Sequence, residues 1–321
     1  MKKRKDVFVY AGLLVASLAL AYYASLPVDN SAQGRTEWLK IEPASVSKLS
    51  YSDEDISIDI SKRGDQLYWV VYRDLKKDPD GEVYEFRANK QVQDVLNFFN
   101  PMYIIRDLGN AKDLDLARFD LTEASKSILT IESDGQSRKF RLGKRSYGSR
   151  EMYLLDEKAQ HGLMAAGVTF DKIKNAKSTL YERKLFELAD KDITKVTLTV
   201  GEAEKVMEHS TKDSKGVLIW SDPLDPSVEK PSYKSLVSKI EKIDAQSYAS
   251  TSERDALSKL KSFAEFTFFK GSGETVVLKF YKEQKNSENT YWVWSSYLDS
   301  YVKVDTARGE AIEKDVPGFV N

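Results

Sequence analysis

The sequence predicts an α+β protein: an N-terminal transmembrane helix followed by two similar domains, each a mainly antiparallel sheet with helices on one face. Three observations support this prediction. An uncharged segment lies near the N-terminus, one order of strand and helix signals occurs twice, and each half contains a hairpin signal at the matching place. Tight hairpins join antiparallel neighbours, and amphipathic helices must cover an apolar sheet face.

The uncharged segment covers residues 7–26, about 20 residues, which as a helix would span roughly 30 Å of hydrocarbon. The apolar residues assigned to this anchor include Val7, Leu13, Leu14, Leu18 and Leu20. Four basic residues precede it and should stay in the cytoplasm: Lys2, Lys3, Arg4 and Lys5. We therefore predict a cytoplasmic tip (residues 1–6), a single-pass helix in the inner (plasma) membrane and a polar linker (residues 27–37). The remainder would lie in the periplasm or outside the cell.

Two other interpretations of this segment stay open. Ala19-Leu20-Ala21 resembles a signal-peptide cleavage site, and cleavage after Ala21 would release an exported protein from the membrane. The segment could also be a buried helix of a soluble protein.

Composition excludes several classes of protein. The chain has 321 residues, 41% of them hydrophobic, and a formal net charge of −1. The cytoplasmic tip carries four basic residues and one acidic residue, so the rest has a net charge of −4. We therefore predict no nucleic-acid partner. The absence of cysteine excludes disulfides, thiol catalysis and cysteine-ligated metals.

The repeated signals begin with a strand in each half. Residues 46–51 (VSKLSY) match residues 193–198 (ITKVTL), and both alternate apolar with polar side chains, as half-buried strands do. Each is followed by a second strand signal around a tryptophan, Trp69 or Trp220. The repeat has a period of about 140 residues, too long for a solenoid unit. We predict two α+β repeat domains, residues 38–186 and 187–321.

The other signals follow in the same order in each half. Apolar residues at helical spacing predict one helix around residues 92–99 and another around residues 236–243. Asp134-Gly135 and Ser272-Gly273 predict hairpin turns with positive φ. A final strand and helix are predicted from residue 152 and again from residue 301.

This order resembles an uncharacterised bacterial family with one N-terminal anchor and a duplicated α+β ectodomain of unknown function. The residues that carry the resemblance are Trp69 followed by Pro79, residues 91–99, Leu142-Gly143 followed by Tyr153-Leu154-Leu155, Trp220 followed by Pro223, and residues 235–243. Residues 118–121 depart from it, since family members often carry a Gly-Leu pair there. Members are often encoded beside gliding-type ABC transporter subunits. The resemblance therefore implies an accessory role at such a transporter, and it implies no reaction and no site residues.

The sequence contains no recognisable catalytic or metal-binding motif. Its two histidines, His161 and His209, lack a neighbouring nucleophile motif or the spacing of a zinc site, so we expect surface or loop positions. We predict no catalytic residue, metal or cofactor. A basic stretch over residues 138–150 is either a solvated strand face or a contact for anionic lipid, glycan or an acidic partner.

An aromatic segment over residues 291–301 (YWVWSSYLDSY) is the most unusual part of the chain. Alternation along a strand would place Trp292 and Trp294 on one face. This is either a strand that packs on the core or a binding face, since tryptophan and tyrosine are enriched in binding hot spots. The candidate partner-binding residues are Tyr291, Trp292, Trp294, Tyr297 and Tyr301.

These observations predict a non-enzymatic, membrane-anchored exported accessory or scaffold protein of a membrane complex, with ABC transporter subunits as the expected partners. The bilayer itself would be contacted through residues 7–26. The alternative is a cell-wall or glycan-binding module, or a hydrolase acting there.

Overall fold

The computed structural model describes residues 36–64, 67–76, 82–188, 190–211 and 218–320. The predicted cytoplasmic tip, the anchor over residues 7–26 and most of the linker lie outside the described residues, so they stay predictions. Within the described ranges, no helix is long and apolar enough to cross a membrane. Glu37–Asn321 form one compact unit.

A 10-stranded sheet occupies the first half of the described chain. Its strands are β1 (Thr36–Leu39), β2 (Val46–Ser52), β3 (Ile56–Arg63), β4 (Leu67–Asp74), β5 (Glu82–Arg87), β6 (Met102–Asn110), β7 (Ile128–Ser133), β8 (Gln136–Arg145), β9 (Glu151–Asp156) and β10 (His161–Ala166). Their order across the sheet is β1-β6-β10-β9-β8-β7-β2-β3-β4-β5.

A 9-stranded sheet occupies the second half. Its strands are β11 (Ile193–Val200), β12 (Ala203–Thr211), β13 (Leu218–Asp222), β14 (Asp225–Glu229), β15 (Ser247–Tyr248), β16 (Ala264–Lys270), β17 (Thr275–Lys285), β18 (Glu288–Ser295) and β19 (Ser300–Lys303). Their order is β14-β13-β12-β11-β16-β17-β18-β19-β15. Pairs among β2–β10 and among β11–β19 are antiparallel.

The two strand orders coincide when β2 is matched to β11. Read from one end, the first sheet runs β6-β10-β9-β8-β7-β2-β3-β4-β5, and the second runs β15-β19-β18-β17-β16-β11-β12-β13-β14. Each strand therefore has a counterpart in the other half, and β1 is an addition beside β6. Whether the halves are separate domains with a boundary at residue 187 stays a prediction.

Local details support this matching. The first six residues of β2 and β11 share one alternation of burial. The pairing of β2 with β7 shifts register between Val46 and Lys48, and that of β11 with β16 shifts between Ile193 and Lys195. A bulge conserved in position between the two sheets shows that the strands match residue by residue here.

The predicted strands around Trp69 and Trp220 are β4 and β13, and the two tryptophans lie one position apart in the matched sheets. The Ala88 amide donates to the Tyr68 carbonyl at 2.8 Å, and the Lys230 amide donates to the Trp220 carbonyl at 2.7 Å. Tyr68 is therefore the counterpart of Trp220, and Trp69 lies one position further along β4. Tyr68 and Trp69 are both buried, so burial does not distinguish them.

The helices are α1 (Gln91–Asn97), α2 (Leu116–Phe119), α3 (Val168–Lys174), α4 (Ala176–Thr179), α5 (Pro231–Glu241), α6 (Thr251–Leu257), α7 (Thr306–Asp315) and α8 (Pro317–Val320). Short 3-10 turns cover Pro43–Ser45, Ala111–Asp113 and Asp190–Asp192. The predicted helices around residues 92–99 and 236–243 correspond to α1 and α5, whose apolar stripes are buried.

The expectation of helices on one face needs correction. Most helices pack on the main core, but α2 and α6 each pack on the opposite face of their sheet. Leu257 of α6 clusters with Trp292, whose strand neighbours Tyr291 and Val293 belong to the main core. Strand residues alternate between faces, so both faces of β18 are covered.

The hairpin turn at Asp134-Gly135 is confirmed, with φ of 50° and 71°. In the other hairpin only Gly273 has positive φ, at 89°, because four residues separate β16 from β17. The strand predicted from residue 152 is confirmed as β9, but the helix expected after it is instead strand β10. Asp156 accepts hydrogen bonds from the Lys158 and Ala159 amides, both at 3.0 Å, and so reverses the chain where a helix was expected.

One continuous hydrophobic core includes residues of both sheets. The two sheets are therefore not independent in their packing, although each has its own ladder of strands.

Candidate functional site

The segment between the two sheets lies at their junction, and its backbone is bonded to both halves. We call residues 180–188 the connector. On the first half, the Asn89 amide donates to the Leu180 carbonyl at 2.7 Å, and the Glu182 amide donates to the Arg87 carbonyl at 2.9 Å. The Asn89 side-chain amide also donates to the Tyr181 carbonyl at 3.0 Å. The connector therefore continues the hydrogen bonding of the first sheet.

The same segment is bonded to the second half. The Ala245 amide donates to the Arg183 carbonyl at 2.8 Å. The Tyr248 hydroxyl donates to the Glu182 carbonyl at 2.9 Å, and the Ser295 hydroxyl donates to the Leu185 carbonyl at 2.5 Å. The connector is thus fixed on both sides, unlike a flexible linker.

The outer edge of β5 is covered by the second half through side-chain donors. The Thr251 hydroxyl donates to the Val83 carbonyl at 3.3 Å, and the Arg254 guanidinium donates to the Glu85 carbonyl. Arg254 also lies 3.8 Å from the Glu85 carboxylate, and a single antiparallel bridge joins residues 84 and 250. Burial lowers the pKa of the Arg254 guanidinium below its ordinary value. Helix α6 thus presents a desolvated cation to β5.

Three aromatic rings fill the space behind this edge. Phe86 of β5 lies 5.5 Å from Tyr248 and 6.4 Å from Tyr181, and the two tyrosine rings are 5.9 Å apart, measured between centroids. All three side chains are buried. Burial raises the pKa of Tyr248 well above its ordinary value, so its hydroxyl stays neutral and donates to the connector.

An open cleft of about 560 Å³ lies beside the connector. Its floor includes the Arg87 guanidinium, which lies 3.8 Å from the centroid of the Tyr297 ring and donates to the Tyr297 carbonyl at 2.9 Å. The charged side chains that line it are Arg87, Lys90, Arg183, Lys184, Glu182 and Glu187. A second cleft of about 380 Å³ shares Glu187 and Tyr297 with it.

Several of these charges stabilise the junction itself. Lys184 lies 3.1 Å from Asp244, and the Tyr297 hydroxyl donates to Glu187 at 2.9 Å. Lys90 and Arg183 are exposed. Across the described residues, no group of three or more His, Asp or Glu side chains could hold a metal ion. Because its lining includes exposed basic and acidic side chains, the cleft can offer hydrogen bonds and ionic contacts of both signs to a partner.

The candidate residues of the aromatic segment are divided between several environments. Tyr291 is 1% exposed and donates to Glu313 at 2.5 Å, and Trp292 is 5% exposed. Trp294, Tyr297 and Tyr301 are half-buried, and among the five candidates Tyr297 lines the cleft. Tyr291 and Trp292 therefore offer little surface. Partner binding by this segment stays a prediction.

Both histidines lie in strands instead of loops. His161 begins β10, with Nε2 2.6 Å from Asp107 Oδ1 and its ring 5.0 Å from that of Trp38. Its hydrogen bond lowers the pKa of Asp107. His209, in β12, stacks on Trp220 at 4.6 Å and an angle of 3°. Both histidine rings therefore contribute to packing and hydrogen bonding within the fold.

The basic stretch of β8 is neutralised locally. Arg138 lies 3.3 Å from Asp156, and Lys139 and Arg141 lie 2.9 Å and 2.7 Å from Glu157. This favours the interpretation of a strand face over that of an anion-binding surface for these three residues.

Sequence reasoning missed the connector and the covering helix α6. The connector has no alternation of apolar and polar residues that would mark a strand or a helix. Its backbone groups instead form hydrogen bonds to both halves of the chain. Helix α6 did carry a signal: Ser250 and Glu253 form a capping box, in which each side chain accepts from the other's backbone amide.

Residues 88–262 match a protein family described as Domain of unknown function (DUF4340). The matched segment includes the connector and α6 and covers more than half of the chain. No curated protein and no solved structure matches the chain. The protein belongs to the DUF4340 family of unknown function.

Proposed function

We propose that this protein is a non-enzymatic, membrane-anchored exported accessory or scaffold protein of a membrane complex. The observation that carries the proposal is the connector, whose bonds to both halves make Glu37–Asn321 one compact unit. A scaffold must hold two surfaces at a fixed separation. Two sheets joined by a bonded segment and a shared core do so without further partners.

The carboxyl groups with shifted pKa values lack the feature expected of a general acid. The pKa values of five carboxyl groups are lowered: Asp107, Glu157, Asp222, Glu274 and Glu313. A general acid working near neutral pH needs a carboxyl group whose pKa is raised. These groups are instead held as carboxylates by hydrogen bonds from side chains of the protein itself.

The partner and the location rest on sequence. The uncharged segment over residues 7–26 and the basic residues before it support a single-pass anchor in the inner membrane. The family resemblance supports gliding-type ABC transporter subunits as the partners. The same arrangement places the sheets in the periplasm or outside the cell.

Co-purification from native membranes tests this proposal. The C-terminally tagged full chain is isolated after gentle solubilisation, and mass spectrometry identifies its partners and its own N-terminus. We expect ABC transporter subunits in stoichiometric amounts and an intact N-terminus. A matched control replaces residues 1–26 with a cleavable export signal and should recover fewer partners.

The opposite result would be recovery of the chain alone, cleaved after Ala21, in the soluble exported fraction. That outcome would contradict the scaffold proposal and favour the cell-wall or glycan-binding alternative.

A further inference from the structure

Two clefts are lined by connector residues and share the side chains of Tyr181 and Arg183. The first is the cleft of about 560 Å³ described above, which we call the Lys90 cleft. The other has a volume of about 590 Å³ and includes residues of the second half, among them Arg308, so we call it the Arg308 cleft. Since Lys90 lines only the first and Arg308 only the second, an occupant that meets both cations must extend across both clefts.

The carboxylates of both clefts already have partners within the protein. Glu182 and Asp305 each accept a hydrogen bond from a backbone amide, at 2.9 Å and 3.1 Å. Glu187 accepts from the Tyr297 hydroxyl at 2.9 Å. Asp244 lies 3.1 Å from Lys184 Nζ. The negative charges of the clefts are thus engaged in contacts that hold the fold together.

Most basic side chains of the two clefts, in contrast, have no carboxylate partner among the described residues. Lys184 is paired with Asp244, and the four that remain are Arg87, Lys90, Arg183 and Arg308. The last three of these are exposed. The clefts therefore carry an excess of positive charge that the described part of the chain does not neutralise.

Arg87 distinguishes the Lys90 cleft from an ordinary solvated surface. Its guanidinium is half-buried, lies 3.8 Å from the centroid of the Tyr297 ring and donates to the Tyr297 carbonyl at 2.9 Å. A guanidinium has five N–H donors, so most of them have no partner among the described residues. Stacking on the ring fixes the plane of the donors, and a planar fork of this kind matches a carboxylate, which it binds through two hydrogen bonds.

The rest of the lining indicates what kind of anion fits. Glu182 and Glu187 line the same cleft as Arg87, and they would repel a uniformly charged polymer. Leu67 also lines this cleft and is 41% exposed, so it offers an apolar contact. A peptide with carboxylates spaced between apolar residues suits both features and can extend into the Arg308 cleft.

We propose that the Lys90 and Arg308 clefts together bind an extended acidic segment of a partner protein, with Arg87 holding one of its carboxylates. This inference rests on the proposed scaffold function and names its partner-facing site.

Carbodiimide cross-linking in native membranes tests the proposal, because the reagent joins an amine directly to a carboxylate in contact with it. The full-length tagged chain is treated, purified and mapped by mass spectrometry. We expect an amide bond between Lys90 Nζ and an Asp or Glu of an acidic segment in the partner. Lys144, which is exposed and lines neither cleft, should form no such bond. Lys90→Arg should lose the cross-link and still retain the partner, since it keeps the charge.

Charge reversal tests the role of the cations. Lys90→Glu with Arg308→Glu changes one exposed residue in each cleft. A synthetic peptide of the cross-linked segment should bind this purified variant about tenfold more weakly than the parent. Lys144→Glu with Arg150→Glu is the matched control, with the same charge change at exposed positions outside both clefts, and should weaken binding by less than about twofold. Circular dichroism verifies that both variants fold.

The absence of a cross-link from Lys90 to a partner protein would overturn the proposal, as would equal weakening by the control variant. Coupling of Lys90 to a uronic-acid sugar would overturn it in favour of an anionic glycan, and coupling to a second copy of this chain in favour of self-association. If transporter subunits co-purify equally with the parent and with the Lys90→Glu and Arg308→Glu variant, the scaffold function stands and this inference fails. If no partner co-purifies with the parent, the scaffold function itself fails.

Discussion

Replacing Ser295 with alanine tests whether the connector holds the two sheets together. The Ser295 hydroxyl is fully buried, donates to the Leu185 carbonyl at 2.5 Å and accepts from the Leu298 amide at 3.2 Å. Alanine removes one oxygen and leaves the surrounding packing nearly unchanged. The Leu185 carbonyl and the Leu298 amide would then lie in the core without that partner.

The expected cost follows from these two bonds. A buried polar group that loses its partner costs about 1–3 kcal/mol, so two such groups predict a loss of about 2–6 kcal/mol in the free energy of unfolding. For a unit of this size, the entropy of unfolding is about 0.6 kcal/mol/K, so such a loss lowers Tm by roughly 3–10 °C. The Leu298 amide should also exchange its hydrogen faster, because it loses its acceptor.

The assay is thermal unfolding of the full-length chain in detergent, followed by circular dichroism, with hydrogen exchange at Leu298. Ser300→Ala is the matched control: this serine is also buried, but its hydroxyl has only a long contact of 3.5 Å to the Tyr301 carbonyl. It should change Tm by less than half as much. Equal Tm values for Ser295→Ala and Ser300→Ala would refute the argument that the connector is bonded into the second half.

Two further predictions concern a helix contact and a surface ion pair. Gly309→Ala should destabilise the fold by about 1–3 kcal/mol in urea unfolding, because the added Cβ would lie 2.2 Å from Tyr291 Cγ. The control Gly318→Ala, whose Cβ would meet open space, should leave the free energy of unfolding unchanged. Hydrogen bonding to Lys205 lowers the pKa of Asp222, so its stabilising effect is present above the unfolded pKa of about 3.9 and is lost as pH falls through the folded value. The urea midpoint of Asp222→Asn should therefore lie below that of the parent at pH 7, and the gap should shrink progressively as pH falls below about 3.9. A gap that stays constant with pH would contradict this.

Much of the fold was predictable because strands and hairpins are specified locally. The alternation in residues 46–51 and 193–198 reflects burial on one side, and the Asp134-Gly135 turn needs residues that accept positive φ. Strand order across nine positions depends on pairings between distant residues, which a periodic pattern does not encode. The repeat could therefore be recognised in sequence, while its register at Trp69 and Trp220 could not.

The junction was harder to predict, for a related reason. Its donors and acceptors include backbone groups, such as the Leu185 and Val83 carbonyls, and a carbonyl has no sequence signature. Arg254 would look like any surface arginine until its burial against β5 is known. The aromatic segment gave a strong signal whose meaning was ambiguous, since a strand buried on both faces and a binding face both require aromatic residues.

The junction also explains why the two ends of the repeat differ. The halves meet through surfaces that are not counterparts, β5 of one and β15 with α6 of the other, which is a heterologous contact. Such a contact always leaves one surface of each kind at the ends. At one end β1 lies beside β6, with Trp38 donating to the buried Asp156 at 3.0 Å. At the other end, β14 carries Pro226 and two carboxylates, which disfavour indiscriminate strand addition while leaving its side chains accessible. The exposed, proline-containing edge strand is thus protected against indiscriminate pairing with other strands.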